Sequence, residues 1–299
     1  MQKKIVRKEH PRQSHMVWDG FRVAQYIPGY GREMSDDTSP FLMLDYNAPW
    51  IIPPQKNDHR PGVGYHPHRG FETVTIVYSG EIEHMDTAGH GGIIGPDEVQ
   101  WMTAGSGLLH NEFMTEKFSR DGWIQHAVQL WVNLPKSHKM IPPRYQALTR
   151  ENIREVEFDG GKVRVITGNL DMHDETWTVY QQTWTAETFS PVELYDIRFE
   201  SRKDITLTFP DGYTTMILVV EWTLTIGGQS LRASDMVFLS RTWSDVSLSW
   251  EEDAKVLIMW GKPLEEEVVA YGPFVMNTEA EIHEAFADFH AGKMWNMLS

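Results

Sequence analysis

The chain has 299 residues, enough for one large core or two of ordinary size, and 27 basic against 42 acidic residues give a net charge of −15. This charge argues against direct nucleic-acid binding, because proteins that bind nucleic acids usually carry a basic surface. The absence of cysteine excludes disulfides, thiolate ligands and thiol-based redox sensing. We expect a cytoplasmic protein without membrane attachment, since no signal-peptide or transmembrane pattern is found.

The first sixty residues predict short strands separated by loops. Residues 3–27 read as two short strands, and 28–40 as a loop rich in turn residues. The apolar run 41–44 predicts a buried strand. Residues 47–64 contain several prolines, glycines and polar residues, so we predict a loop, in which His59 is a solvent-exposed histidine rather than a metal ligand.

Two pairs of ligand-type residues flank the next predicted sheet segment. His66 and His68 are two residues apart, and so are His110 and Glu112. In a strand, residues i and i+2 project from the same face about 6.6–7 Å apart, so each pair can lean toward one ion. A single His-x-His is more often a surface pair, but two matched pairs weaken that alternative. Three imidazoles and one carboxylate predict a site related to the two-His-one-carboxylate arrangement that holds non-haem Fe(II).

Long motifs around these pairs resemble those of the pirin family, whose members are bicupins with iron in the first of two β-barrels. The resemblance covers most of the chain. It rests on His66-Pro67-His68-Arg69-Gly70-Phe71-Glu72-Thr73-Val74-Thr75, Glu83-His84-Met85-Asp86, 99–107 with His110, Leu130-Trp131-Val132-Asn133-Leu134-Pro135, Pro143-Arg144-Tyr145, 261–264 and 271–278. It implies an all-β fold of two cupin, jelly-roll-like β-barrels in tandem with a short C-terminal helix. The family's iron ligands fall on His66, His68, His110 and Glu112.

Other polar residues near the pairs are interpreted as supporting groups. Many cupins use a glutamate at the place of Glu72 as the fourth ligand, whereas the pirin pattern supplies Glu112. We therefore predict that Glu72 is structural or orients a ligand, because ligating imidazoles usually donate their second N–H to an acceptor. His84 and Asp86 fit that role or form a plain cross-strand pair. His90 lies in a glycine-rich turn and is expected to have no part in the site.

The second half predicts another domain and a terminal helix. We place the connection at residues 135–145 and divide the chain into a metal-binding barrel, 1–140, and a second barrel, 141–299. Thr278 or Asn277 can cap a helix over about 278–291, because apolar residues then recur at helical spacing.

The second barrel is predicted to lack the metal. Residues 212–219 echo 70–77, and under this register Thr208 and Pro210 stand where His66 and His68 stand. No histidine occurs between residues 173 and 283. The barrel's tryptophans are read as core residues, among them Trp222, Trp243, Trp250 and Trp260.

The resemblance also implies a function, since some pirins are described as quercetin 2,3-dioxygenases. We expect Fe2+ as the cofactor, with a flavonol-like substrate that coordinates through adjacent oxygens, O2 as co-substrate, and Glu112 as the group that takes the hydroxyl proton. A purified sample can hold another divalent metal, because affinity orders favour Cu, Ni or Zn.

The alternative function is that of an iron redox sensor that binds a transcription factor or a metabolic enzyme, as other pirins are described. The acidic charge favours protein over DNA contacts, and without cysteine the iron is the candidate sensor. The fold alone does not decide between these functions.

Overall fold

The computed structural model describes the chain except for residues 12, 28–35, 57, 175–178, 183–184, 202, 251–252 and 295–299. The predicted loop over 28–40 therefore falls largely outside the described residues. The chain forms two compact units. The first unit comprises Gln13–Asp36, Phe41–Arg150 and Leu264–Ser299, and the second unit comprises Met1–Arg12, Asp37–Pro40 and Glu151–Pro263.

Strands make up most of the described chain. Those of the first half are β1 Ile5–Glu9, β2 His15–Val17, β3 Phe21–Ile27, β4 Phe41–Ile52, β5 Gly62–His68, β6 Phe71–Ser79, β7 Ile82–Asp86, β8 Gly91–Ile94, β9 Glu98–Thr103, β10 Leu108–Met114, β11 Trp123–Asn133 and β12 Arg144–Leu148. Those of the second half are β13 Arg154–Phe158, β14 Gly161–Thr167, β15 Leu170–Asp174, β16 Val179–Gln182, β17 Val192–Phe199, β18 Lys203–Thr208, β19 Thr214–Glu221, β20 Thr223–Ile226, β21 Gln229–Arg232, β22 Met236–Leu239, β23 Asp245–Trp250, β24 Ala254–Gly261, β25 Val269–Tyr271 and β26 Phe274–Met276. The α-helices of the described residues are α1 Glu116–Asp121 and α2 Glu279–His290.

The first unit is built from a large and a small antiparallel sheet. The large sheet has the strand order β12-β9-β6-β11-β4-β3-β2, and the small sheet has the order β5-β10-β7-β8. The middle strands β6 and β11 are rich in β-branched and aromatic residues and are buried along most of their length, although each also carries polar side chains. Side chains from both sheets line one interior cavity, which makes this interior the place for a site.

The second unit also has two sheets, of seven and six strands, and a large cluster of buried apolar side chains forms its core. Its sheets have the orders β1-β22-β19-β24-β17-β14-β13 and β16-β15-β18-β23-β20-β21. Trp250 packs on Phe199 with ring centroids 3.6 Å apart, and Trp260 packs on Tyr213 at 4.6 Å. These two tryptophans are core residues, as predicted.

The prediction of a core position is wrong for two other tryptophans. Trp222 and Trp243 are 61% and 40% exposed. Both have a positive φ, 62° and 76°. Trp222 lies in the connection between β19 and β20, and Trp243 lies in the connection between β22 and β23. A turn residue lies outside the alternating pattern of a strand, so its side chain is not forced into the core.

The two units are not contiguous in sequence, in contrast to the predicted division at residue 140. Strand β1 pairs with β22, so the N-terminus belongs to the second unit. Strand β12 pairs with β9, which keeps the chain in the first unit up to Arg150. The C-terminal residues from Leu264 onward return to the first unit. Strand pairing between distant segments, rather than the order of the segments, therefore sets these boundaries.

The N-terminal elements also differ in detail from those predicted. Residues 3–27 hold three strands instead of two, and the loop predicted over 47–64 is limited to 53–61, since β4 continues to Ile52. Strand β4 passes Pro49 at a β-bulge, where its pairing with β11 shifts register. A proline is tolerated there because the bulge needs no ladder hydrogen bond from it. Helix α1, capped by Thr115, was not predicted.

The C-terminal helix was predicted, and the structure confirms it. Thr278 is the N-cap and forms a capping box with Glu281: the Thr278 hydroxyl accepts from the Glu281 N–H at 3.2 Å, and the Glu281 carboxylate accepts from the Thr278 N–H at 2.9 Å. Ile282 and Ala285 are buried on the helix face that packs with Phe274 and Met276. Within the described residues, no helix is both long and apolar enough to span a bilayer.

A buried lysine connects the C-terminal segment with the rest of the first unit by hydrogen bonds. Lys139 Nζ donates hydrogen bonds to the carbonyl oxygens of Gly70 and Val275 and to Asn133 Oδ1, at 2.8–2.9 Å. Burial lowers the pKa of Lys139 to about 7. These three bonds join strand β26 to the start of β6 and to the end of β11.

Candidate metal centre

Three histidines meet between two neighbouring strands of the small sheet. His66 and His68 lie on β5, and His110 lies on β10 directly opposite His66. The ring centroids of His66 and His110 are 4.3 Å apart, and His68 is 4.8 Å from His66 and 5.0 Å from His110. One ligand nitrogen of each ring lies within 4.8 Å of the others. In the described part of the chain, this is the single group of three or more His, Cys, Asp or Glu side chains that is close enough to hold a metal.

The hydrogen bonds of these rings fit a metal-binding role. His66 Nδ1 lies 2.9 Å from the carbonyl oxygen of Gly64, which leaves Nε2 for an ion. His68 Nδ1 and both nitrogens of His110 are buried without a hydrogen-bond partner among the described residues. Unpaired buried polar atoms are unfavourable, and a coordinated cation would satisfy one nitrogen of each ring.

The protonation state of the rings also fits a metal-binding role. Burial, followed by the proximity of His66, lowers the pKa of both His68 and His110 well below the ordinary value. These imidazoles are therefore neutral near pH 7, and the neutral imidazole is the form that ligates metals. The three histidines fit a divalent metal by position, by unpaired nitrogens and by protonation state.

Glu112 lies beside this group on β10, two residues after His110, and is 4% exposed. Gln129 Nε2 donates to both of its carboxylate oxygens, at 3.2 and 3.0 Å, and Thr75 Oγ1 donates to Oε1 at 3.4 Å. Burial raises the pKa of Glu112, while His66 and these hydrogen bonds oppose the rise. Its oxygens are not part of the close group of three nitrogens, so the role of Glu112 as fourth ligand stays a prediction.

A cavity of about 350 Å³ adjoins these residues, within the usual range for small-molecule sites. His66, His68 and Glu112 line one part of it. Apolar side chains form much of the wall, among them Val23, Met43, Val63, Ile82, Val128 and Trp131. Polar side chains from the large sheet complete it: Gln25, Asp45, Asn47, Thr75 and Gln129.

The supporting residues proposed from the sequence have separate environments. Glu72 is fully buried and accepts a hydrogen bond from Thr103 Oγ1 at 2.7 Å. Side chains alternate between the two faces of a strand, and Thr75, three residues after Glu72, lines the cavity. Glu72 therefore projects from the opposite face of β6. His84 is buried and packs on the ring of Tyr145, with centroids 4.6 Å apart, and burial lowers its pKa to about 4.

Asp86 and the remaining histidines lie outside the group of ligand nitrogens. The Asp86 carboxylate accepts from the backbone N–H groups of Ala88 and His90, each at 2.9 Å, and pairs with the His90 ring at 3.1 Å. It therefore stabilises the turn after β7. His90 is partly buried and belongs to this turn. His59 is exposed and pairs with Asp19 at 2.9 Å.

Several residues of this site were not predicted from the sequence. Gln129 and Thr75 hold the Glu112 carboxylate, and Asp45 and Asn47 line the cavity on the large sheet. One signal was present: Gln129 and Asp45 are polar residues next to apolar runs that otherwise read as buried strands. A polar residue in such a run is a candidate for an interior site.

Comparison with known proteins agrees with this geometry. The chain matches the family models Pirin over residues 20–132 and Pirin C-terminal cupin domain over residues 194–295. It is 43% identical over 281 residues to a protein of Pseudomonas aeruginosa named "putative quercetin 2,3-dioxygenase", an alignment that covers 93% of this chain and 94% of that protein. The chain belongs to the pirin family. The resemblance and the predicted fold of two cupin domains with a short C-terminal helix are thereby confirmed.

Solved structures give the same result. A crystal structure of quercetin 2,3-dioxygenase from Acinetobacter baumannii is 41% identical, with a TM-score of 0.88 over 98% of this chain and 99% of that chain. A bacterial pirin of Escherichia coli, solved in complex with nickel(II), is 19% identical, with a TM-score of 0.60 over 87% of this chain and 98% of that chain. The second likeness concerns the fold alone.

Proposed function

We propose that this pirin is an Fe2+-dependent dioxygenase that cleaves a flavonol such as quercetin. The observation that carries the proposal is the cavity of about 350 Å³ with His66, His68 and Glu112 in its wall and His110 beside them. His66, His68 and His110 would hold the metal, and Glu112 would complete the set. Bound iron supplies a Lewis acid for adjacent substrate oxygens and an electron path to O2.

The residues of the chain would bind the substrate and move its proton. The apolar wall, with Trp131 at the edge of His68 (ring centroids 5.2 Å apart), would hold the aromatic rings and exclude water. Glu112, whose pKa burial raises, would accept the proton of the flavonol hydroxyl. Gln129 would keep the carboxylate aimed at the cavity through its two hydrogen bonds.

The test is turnover by protein loaded with Fe2+ under anaerobic conditions and then supplied with quercetin and O2. We expect flavonol loss coupled to O2 consumption. His66→Ala should lose metal and activity while keeping its circular dichroism spectrum, and His59→Ala, which changes an exposed histidine, should keep both. Fully loaded protein that consumes no flavonol would refute the proposal.

The alternative function, that of an iron redox sensor, can be tested with the same iron-loaded protein. Affinity capture from extract with ferrous and with ferric protein should return the same partners if the iron serves catalysis alone. Partners that bind only one oxidation state, together with absent flavonol turnover, would favour the sensor. With no cysteine in the sequence, thiol chemistry could not account for such a difference.

A further inference from the structure

A row of polar side chains crosses the large sheet of the first unit at one level. The backbone register places Gln25 opposite Asp45, Asp45 opposite Gln129, Gln129 opposite Thr75, and Thr75 opposite Gln100. The first four line the cavity, so this row faces the interior. These residues come from five strands, and directly opposed side chains in a sheet are close enough to interact.

Only part of the row is explained by the metal centre. Gln129 and Thr75 hold Glu112. Asp45 is 8% exposed and, among the described residues, accepts a single hydrogen bond, from Gln25 Nε2 at 3.3 Å. Burial raises the pKa of Asp45 to about 6, against the smaller opposing effects of Gln25 and His15. The carboxyl group of Asp45 thus has capacity for a further hydrogen bond.

Asn47 lies two residues after Asp45 on the same strand and also lines the cavity. It is 2% exposed, and neither atom of its side-chain amide has a hydrogen-bond partner among the described residues. An amide with two donors and an acceptor that is buried without partners is unfavourable by itself. Such a group in a cavity wall is explained by a molecule that enters the cavity and pairs with it.

Apart from Gln25 and Gln129, which stand opposite Asp45, mainly apolar side chains adjoin this pair. Ala127 stands opposite Asn47 on β11, and Val23, Met43 and Val128 line the same region of the cavity. A few polar groups in an apolar wall are typical of positions that orient a ligand. The pair is carried by β4 of the large sheet, whereas the histidines lie on β5 and β10 of the small sheet. A molecule between the sheets can therefore contact both.

We propose that Asp45 and Asn47 form a second recognition site in the cavity, which binds hydroxyl groups on the part of an aromatic substrate that does not contact the metal. The proposal rests on the proposed function and names the substrate class more closely: a flavonol with hydroxyl groups on its pendant ring. The Asp45 carboxyl group accepts from one hydroxyl, and the Asn47 amide donates to and accepts from its neighbour. Both residues determine specificity and take no part in the reaction.

The test is anaerobic binding to the Fe2+-loaded protein, followed by quenching of tryptophan fluorescence. The two probes are quercetin and galangin, the same flavonol without the two hydroxyls of the pendant ring. We expect the wild type to bind quercetin about 10-fold more tightly, the effect of one or two hydrogen bonds. Asp45→Asn and Asn47→Leu should each remove most of that preference, with the Kd for galangin within about twofold and the metal content unchanged.

Leu44→Met is the matched control, because it conserves volume at a buried position of β4 that does not line the cavity and should keep the preference. A thermal melt of each variant shows whether it is folded. If one variant folds poorly, the other still tests the proposal. Wild type that binds both flavonols equally, or variants that retain the preference, would overturn the second recognition site while leaving the proposed function intact. Failure to bind either flavonol would overturn the proposed function and this inference together.

Discussion

The same row of the large sheet has opposite chemistry in the two units. In the first unit, β4, β11, β6 and β9 contribute Asp45, Gln129, Thr75 and Gln100. In the second unit, β17, β24, β19 and β22 contribute Tyr195, Ile258, Ile217 and Val237. The equivalence is fixed by turn residues with positive φ, Gly70 and Gly212 before β6 and β19, and Asp97 and Ser234 before β9 and β22.

This difference accounts for the position of the candidate metal centre, the single such group in the described residues, in the first unit. The polar row of the first unit leaves a cavity and holds the Glu112 carboxylate. The apolar row of the second unit belongs to a continuous core that packs Tyr195 and Ile258 with the surrounding aromatic rings. Loss of the histidines is thus one part of the change, and filling of the interior is the other.

The largest change in stability is expected at Lys139, a buried residue of the first unit. Lys139→Met removes three hydrogen bonds that join strand β26 to the rest of the first unit, and it takes a donor from the carbonyls of Gly70 and Val275. We expect a loss of on the order of 3 kcal/mol in the free energy of unfolding, measured by urea titration. Lys136→Met, at an exposed site, should change it by less than about 0.5 kcal/mol. Equal stability of the two variants would contradict the role of Lys139.

The second prediction replaces Gln129 of the first unit with the residue at the equivalent position of the second unit. Gln129→Ile removes both hydrogen bonds to Glu112 and introduces the isoleucine found at position 258. We expect Fe2+ affinity to fall about 10- to 100-fold, the usual effect of losing a group that orients a ligand, as measured by competition with a chelator. Gln100→Val, the same exchange at the far end of the row, should leave affinity within about twofold, since the Gln100 side chain makes no hydrogen bond to Glu112 among the described residues. Comparable losses in both variants would mean that Gln129 acts only through packing.

The third prediction concerns the pH dependence of stability. Because the pKa of Asp45 is about 6 in the native state and near 4 when unfolded, the native state binds the proton more tightly. The contribution of Asp45 to stability is therefore fully present below about pH 4 and is lost as pH rises through about 6. Metal-free Asp45→Asn should be more stable than wild type by about 2–3 kcal/mol at pH 8, with no difference at pH 4. Exposed Asp253→Asn should show no such trend, and a pH-independent gain in Asp45→Asn would exclude a buried charge.

The sequence predicted those parts of the site that lie within one local motif. The spacing of His66 and His68, and that of His110 and Glu112, follows the two-residue period of a strand, so their common face could be derived directly. Helix α2 was predictable because Thr278 and Glu281 form a local capping box. The absence of histidine from residues 174–282 indicated a second unit without ligands.

The polar row could not be predicted, because it depends on register between strands that are far apart in sequence. Gln25, Asp45, Thr75 and Gln129 become neighbours only when four strands pair. For the same reason the sequence did not indicate that β1 joins the second unit or that β4 passes Pro49 at a bulge. Each of these features is decided by a partner strand and not by local propensity.

The most direct test of this account is the stoichiometry of metal binding. Metal-free protein should be titrated anaerobically with Fe2+ and followed by calorimetry, alongside His66→Ala. The account predicts one equivalent per chain for the wild type and none at the same concentrations for the variant. Two equivalents per chain, or one equivalent retained in His66→Ala, would contradict a single site formed by the three histidines of the first unit.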